Sequence, residues 1–339
     1  MQEIDKKTFI KTLENVKAGL ATKDLIVQTT SFIFRDNYVY TYNDELSACA
    51  ETELDIEGAV EAEALLKLLH KIKDDVIEIW EEEDELRLKG KKFESGIKLD
   101  TEIKLPLDDV EIPEKFFKVS GDFVQSAKLA CLMAGKAHSD PLLSCVHIEN
   151  NKIESCDNER ITICYFDSKI KCDVLVNAKN LLDIIKENIV GIAVVENWIH
   201  FKTDEEVVIS SCKYDEDFVD LDEFIPEAEE DGKQITLPKE MKETLDRADV
   251  FSKDNVSRER LIHVSIKKKK LTISAQNDTG WHNEWNKVDY KGPELEFDIN
   301  IEFLKDMLSM SNEISVVNDF LVFRDDNSIH LIQLDDSDD

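Results

Sequence analysis

Apolar positions along this chain alternate between two periods. In Val176-Asn177-Ala178-Lys179-Asn180-Leu181-Leu182-Asp183-Ile184-Ile185 a strand-like run passes straight into a helical one, where Leu181, Ile184 and Ile185 share a face. The same pattern stands 116 residues upstream at 60–69 and 123 residues downstream at 299–308. Leu65, Leu181 and Leu304 correspond, as do Leu68, Ile184 and Met307. A repeat of about a third of the chain is a statement about architecture. It predicts three tandem domains over 1–113, 114–228 and 229–339, the last ending in an acidic tail at 335–339.

Each third opens with a second copy of the same device. Ile4 leads into Phe9, Ile10, Leu13 and Val16; Val119 into Phe123, Val124, Ala127 and Ala130; Ile235 into Met241, Leu245 and Ala248. Pro238 stands where a helix N-terminus tolerates proline. Alternating strands follow, turning at Asp36-Asn37, Asn150-Asn151 and 267–270, and the run 81–85 reads as another hairpin tip. Each set of strands is followed by an acidic or amide cluster: Asn43-Asp44-Glu45, Asp157-Asn158-Glu159 and Asn277-Asp278. The predicted class is α+β, with six short amphipathic helices on one face of antiparallel sheets. Linkers are expected at 105–114, with Pro106 and Pro113, and at 218–232, with Pro226.

Composition narrows the function classes. Hydrophobic residues make up 42%, enough to fold despite a formal charge of −32. No stretch approaches a membrane span, and the N-terminus lacks the apolar core of a signal peptide. Seven cysteines, an odd number without C-x-x-C, point to reduced thiols in a cytoplasmic protein. Six of them fall in the middle third near His138, His147 and His200, which raises a metal site as a rival, although their spacing is that of inward strand positions. The ten glycines are scattered, with no phosphate-binding loop, nucleophile elbow or H-E-x-x-H. Asp157 with Glu159 is a carboxylate pair of the sort so acidic a chain produces by chance, and Trp281-His282-Asn283-Glu284-Trp285 alternates like a half-exposed strand. No enzyme and no cofactor is implied.

Charge becomes informative on the repeat. The six helical windows, 5–22, 61–75, 122–138, 177–188, 238–253 and 301–311, hold 16 basic and 15 acidic residues, against 26 and 59 elsewhere. If the helices share a surface, it alone would not repel a phosphate backbone.

Three doubled strand–helix–strands units resemble the bacterial-type DNA polymerase sliding clamp, the replicase beta subunit. The last third carries the most specific likeness. The run 245–252, Leu-Asp-Arg-Ala-Asp-Val-Phe-Ser, resembles the family's first helix of domain three, and 288–297 its V-x-Y-x-G-x-x-x-E-I stretch. Asn300 to Leu308 resembles N-x-x-Y-L-x-D-x-L, and Ser155 to Ile161 the family's A-T-D-G-H-R-L. Phe218-Val219-Asp220 with Ile225-Pro226 resembles F-P-D…L-P.

The resemblance implies a homodimeric ring that encircles duplex DNA without sequence preference, tethers a DNA polymerase and has a clamp loader as a further partner. It implies DNA-facing roles for Lys7, Lys11, Lys23, Lys128, Lys136, Lys179, Lys239 and Arg247, and a subunit interface at Val250 and Phe251. It places a pocket for short Gln/Leu/Phe peptides between domains two and three, at Arg160, Ile161, Pro226, Phe320 and Leu331. The family's Gly-His is Asn158-Glu159 here, and its C-terminal Met-Pro-Met gives way to Ile332-Gln333-Leu334 and the acidic tail, so a partner motif with basic flanks is expected. Such divergence fits a phage-encoded or otherwise specialised clamp. Two rivals are an acidic interaction protein or DNA mimic on this fold, and a metal-dependent hydrolase using the Asp157 and Glu159 region with cysteines or histidines.

Overall fold

The computed structural model describes residues 1–23, 26–135, 140–226, 233–253, 260–308 and 311–334. Lys136, His138, the acidic run 227–231 and the tail 335–339 lie outside the described residues. Helices appear in all six expected windows: α1 Lys6–Asn15, α2 Ala62–Lys71, α3 Gly121–Met133, α4 Ala178–Ile184, α5 Met241–Ala248 and α6 Ile301–Leu308. The strands are antiparallel throughout the described ladders.

Local chemistry explains the repeated entry from strand to helix. Glu61, Asn177 and Asn300 occupy equivalent positions, and each side chain accepts backbone N–H bonds from the first turn of α2, α4 or α6. Asp5 does the same for α1. The hairpins at Asp36-Asn37, Glu83-Asp84 and Lys268-Lys269 hold both central residues at positive φ. That is the turn whose twist matches paired strands, here formed without glycine. The three acidic or amide clusters are one turn repeated. Asn43, Asp157 and Asn277 each accept, through Oδ1, the N–H groups two and three residues ahead.

The chain folds into two compact units. The first comprises Met1–Cys131, Cys145–Asn151 and Phe166–Glu216. Its sheet runs, pair by pair, through Glu85–Lys89, Glu94–Asp100, Gly58–Glu61, Ser31–Arg35, Tyr38–Tyr42, Leu46–Glu51, Val208–Tyr214 and Trp198–Thr203. The expected linker at 105–114 is packed rather than loose. Leu105, Leu107 and Val110 are buried with Ile33, Tyr42 and Trp198, because a turn flanked by apolar residues gains more by covering a sheet than by staying solvated.

The second unit comprises Leu132–Ser144, Lys152–Tyr165 and Asp217–Asp339. One ladder runs Lys152–Cys156, Arg160–Tyr165, Ser328–Gln333, Phe320–Arg324, Glu313–Val317, Lys233–Thr236. A separate four-stranded sheet runs Gly280–Lys287, Lys270–Asn277, Leu261–Lys267, Leu295–Asn300. Met241 and Leu245 of α5 and Leu304 and Met307 of α6 close one core with Ile262, Ile273 and Ile332.

Five of the seven cysteines are buried, and Cys172 and Cys212 are partly so. Burial pushes the Cys49, Cys131 and Cys164 thiols up to about 12. Cys49, Cys145, Cys156 and Cys164 hold inward strand positions, as their spacing suggests, whereas Cys131 lies on α3. Among the described residues no cluster of His, Cys, Asp and Glu is arranged to hold a metal ion, and no helix is long and apolar enough to cross a membrane.

Candidate functional site

The turn at Asp157 organises the best-defined surface feature of the second unit. Oδ2 of Asp157 accepts two bonds from the Arg160 guanidinium, at 2.9 Å from Nε and 2.6 Å from Nη2. Arg160 is 6% exposed, stacks 3.8 Å over the Phe303 ring of α6 and lies 3.6 Å from Asp306. Both oxygens of Asp157 are therefore committed to the turn and to this arginine. A fork of this kind satisfies a buried guanidinium, and it leaves Asp157 no free lone pair with which to begin hydrolytic chemistry. The hydrolase rival loses its principal residue.

Alternation along Arg160–Tyr165 separates residues expected together. Arg160 points toward α6, so Ile161 points to the other face of the sheet. There it packs against Cys156, Ile163 and Leu221, with Phe218 and Ile225 beside it. Ile161 stands opposite Leu331 across the ladder, Leu331 opposite Val322, and Phe320 two residues along from Val322. Ile161, Leu331 and Phe320 thus share one face, and Arg160 is on the reverse. Leu331 is 1% exposed, so it supports the surface from beneath. Pro226 joins through its carbonyl, which accepts from Nη2 of Arg324 at 3.5 Å. All five expected pocket residues lie in the second unit. Phe218, Leu221 and Ile225 also pack on this face; none of the three is among the residues expected there, although Phe218 and Ile225 belong to the linker motif that carries the resemblance.

The expected DNA-facing residues are mostly free of the core. Lys7, Lys11, Lys128, Lys179 and Arg247 are exposed on helices, and Lys23 and Lys239 are exposed outside them; the opposite faces of α1, α4 and α5 bury Phe9 and Leu13, Leu181 and Ile184, and Met241 and Leu245. Two of these cations are engaged locally. Lys11 lies 2.6 Å from Glu205. Arg247 grips Glu284 with two bonds, of 2.8 and 2.7 Å. That fork, helped by Thr244, holds the Glu284 carboxyl down at about 2.

At the expected interface, Val250 is 66% exposed. Phe251 packs its ring on Gly280, where a Cβ would come within 2.8 Å of it. Gly280 begins the strand Gly280–Lys287, an edge of the four-stranded sheet, and Trp281 and Trp285 stand 70% and 54% exposed along it.

Comparison with known proteins agrees with this fold. Residues 223–337 match the model of the DNA polymerase III beta subunit, C-terminal domain. Among curated proteins, no sequence matches the chain. The DNA polymerase sliding clamp of Pseudomonas aeruginosa superposes with a TM-score of 0.82 at 17% identity, over 98% of this chain and 99% of that one. The clamp of Bacillus subtilis gives 0.83 at 18%, over 99% and 98%. A clamp of Bartonella birtlesii, solved bound to griselimycin, gives 0.81 at 17%, over 98% of both chains. The chain has the fold of the bacterial beta sliding clamp from end to end, and its last third matches the C-terminal domain of the DNA polymerase III beta subunit.

Proposed function

We propose that this chain is a DNA sliding clamp: a non-enzymatic homodimeric ring of two three-domain subunits. It would encircle duplex DNA, take polymerase and clamp-loader peptides on the Ile161 face, and work in the cytoplasm. The observation that carries this reading is a strand pairing that occurs twice within the chain and has two ends left over. The strand leaving the Asn43 turn pairs with Val208–Tyr214, and the strand leaving the Asp157 turn pairs with Ser328–Gln333. The equivalent strand leaving the Asn277 turn, Gly280–Lys287, pairs on one side only among the described residues. So does Glu94–Lys98, which is equivalent to Val208–Cys212.

Repeat equivalence supplies a register. Leu46 and Arg160, each three residues after the turn, face Ser211 and Ile332. Ser211 lies two residues before Lys213, the partner of Val176; Ile97 lies two before Leu99, the partner of Val60, and Val60 and Val176 are equivalent. Two copies joined the same way would set Gly280 opposite Ile97 of the second copy and Trp281 opposite its Gly96. An unpaired, aromatic-bearing edge is a hazard for a monomer, and pairing it twice over closes a two-fold assembly in which neither of these two edges is left open.

In this reading 1–113, 114–228 and 229–339 are the three domains, Val250 flanks the joint, and the exposed helix lysines meet DNA weakly. Weak contacts suit a ring that holds by topology, because strong phosphate binding would stop it sliding. Exposed lysines on the helices also speak against a DNA mimic, whose helices should be acidic.

The test is loading onto nicked circular DNA, followed by linearisation. The clamp is expected to stay on circles and to leave once ends are created. Retention on the linear product would overturn encirclement. Light scattering should give twice the 38.9 kDa chain mass.

A further inference from the structure

The Ile161 face is bounded by a segment of one-sided charge. Between 217 and 226, within the second unit, the chain has four carboxylates, Asp217, Asp220, Asp222 and Glu223, and no lysine or arginine. All four are exposed. Interleaved with them are Phe218, Leu221 and Ile225, which pack with Ile161. Val219 and Phe224, at 47% and 49% exposure, extend the apolar surface outward.

The cations near this face do little to offset the acids. Lys152 lies 3.2 Å from Glu154 and 3.6 Å from Asp222, so it is shared between carboxylates. Arg160 is turned to the other face and held by Asp157 and Asp306. Arg324 is the exposed cation of the group, and it reaches the Pro226 carbonyl. Acid also crowds the floor: burial raises the Cys156 thiol to about 11, and Asp157, Glu154 and Asp140 add to that rise.

We propose that this shelf selects peptides whose apolar anchors are flanked by lysines or arginines. The proposal rests on the clamp reading, in which the Ile161 face is the partner site, and it adds the charge of the partner. The apolar residues supply the hold. The four carboxylates act together on encounter and on discrimination, since like charge set against like charge is excluded more strongly than any single exposed pair attracts. Being exposed, they act through a field that salt screens over about 8 Å at physiological strength.

The test uses the full chain and two fluorescent peptides with one Gln-Leu-Phe core, flanked either by lysines or by glutamates. Anisotropy titration at low salt should show the lysine-flanked peptide bound roughly 10-fold more tightly, with the advantage falling to about 2-fold at 300 mM salt. Asp217→Lys with Glu223→Lys should abolish that preference, with unchanged melting showing that the fold survives. Ile161→Ala should weaken both peptides. Equal binding of the two peptides, both lost with Ile161→Ala, would overturn charge selection and leave the partner site standing. Binding of the lysine peptide that ignores Ile161→Ala would be general attraction to an acidic protein and would overturn the proposal. Failure of both peptides to bind would remove the partner site and the proposal together.

Discussion

The strands Arg160–Tyr165 and Gly280–Lys287 hold the same place in the repeat. Each leaves a turn built on an Oδ1 atom, at Asp157 or Asn277, and each continues an antiparallel sheet. Among the described residues the first is covered along both edges and the second along one. Their residues differ accordingly. Along the covered strand Ile163 and Cys164 are buried, Arg160 is locked in a fork, and Thr162 bonds His330 across the ladder at 3.0 Å. Along the open strand Trp281, Asn283, Trp285 and Lys287 face outward, and the inner face is polar, with Glu284 and Asn286 bonded to Thr244. A position in a fold does not decide whether its side chains are core. The presence of a neighbouring strand does.

Perturbing the covered strand should have the larger effect. Arg160→Ala leaves Asp157 and Asp306 facing a buried gap and removes the stack on Phe303, so a loss of about 3–5 kcal/mol is expected in urea unfolding of the second unit. Trp285→Ala on the open strand should shift the same transition by less than about 0.5 kcal/mol. Equal effects would dissolve the comparison.

The covered strand should also carry a pH dependence. Burial holds the His330 imidazole down at about 4. The unfolded chain takes up that proton near 6.5 while the folded chain refuses it until about 4. The contribution is therefore fully present above pH 6.5 and is lost as pH falls through that window, by up to about 3 kcal/mol. Unfolding followed from pH 7 to pH 4 should fall less steeply in His330→Gln. His200, also held at about 4 by burial, continues to contribute in the first unit.

The open strand should answer in assembly instead. Trp281→Ala is expected to weaken self-association by about 2 kcal/mol, the scale of an aromatic anchor, with the melting of the isolated subunit unchanged. Sedimentation across a concentration series measures it, and an unaltered dimer would remove the proposed register. The smallest effect belongs to the inner face. In Arg247→Ala the Glu284 carboxyl, freed of its fork, should titrate well above 2, toward the ordinary carboxylate range, as seen by NMR.

Much of this was legible in advance because it is local. The face of Leu181, Ile184 and Ile185 needs only a helical period and a strand before it, and Asn177 at the boundary caps the helix whatever surrounds it. Asp36-Asn37 and Lys268-Lys269 turn where two-residue hairpins must. The candidate site is legible in the sequence as a motif and not as an arrangement. Arg160 and Ile161 are neighbours in that motif, yet adjacent residues of a strand project to opposite sides of the sheet. Leu331 lies beneath the surface it is expected to line. Phe218 and Ile225 look like linker because Pro226 and several acids stand beside them.

By itself the sequence determined the six helices, their caps, the repeated turns and the threefold period, since each follows from interactions within a few residues or from the spacing of apolar positions. Tertiary structure alone decided that Leu105, Leu107 and Val110 are core, that Arg160 stacks on Phe303, and that among the described residues Gly280–Lys287 keeps an open edge while Arg160–Tyr165 does not. Each of these depends on which strand or helix arrives alongside from more than a hundred residues away in sequence, or on which sheet a turn covers. No local pattern of polar and apolar residues encodes that arrival.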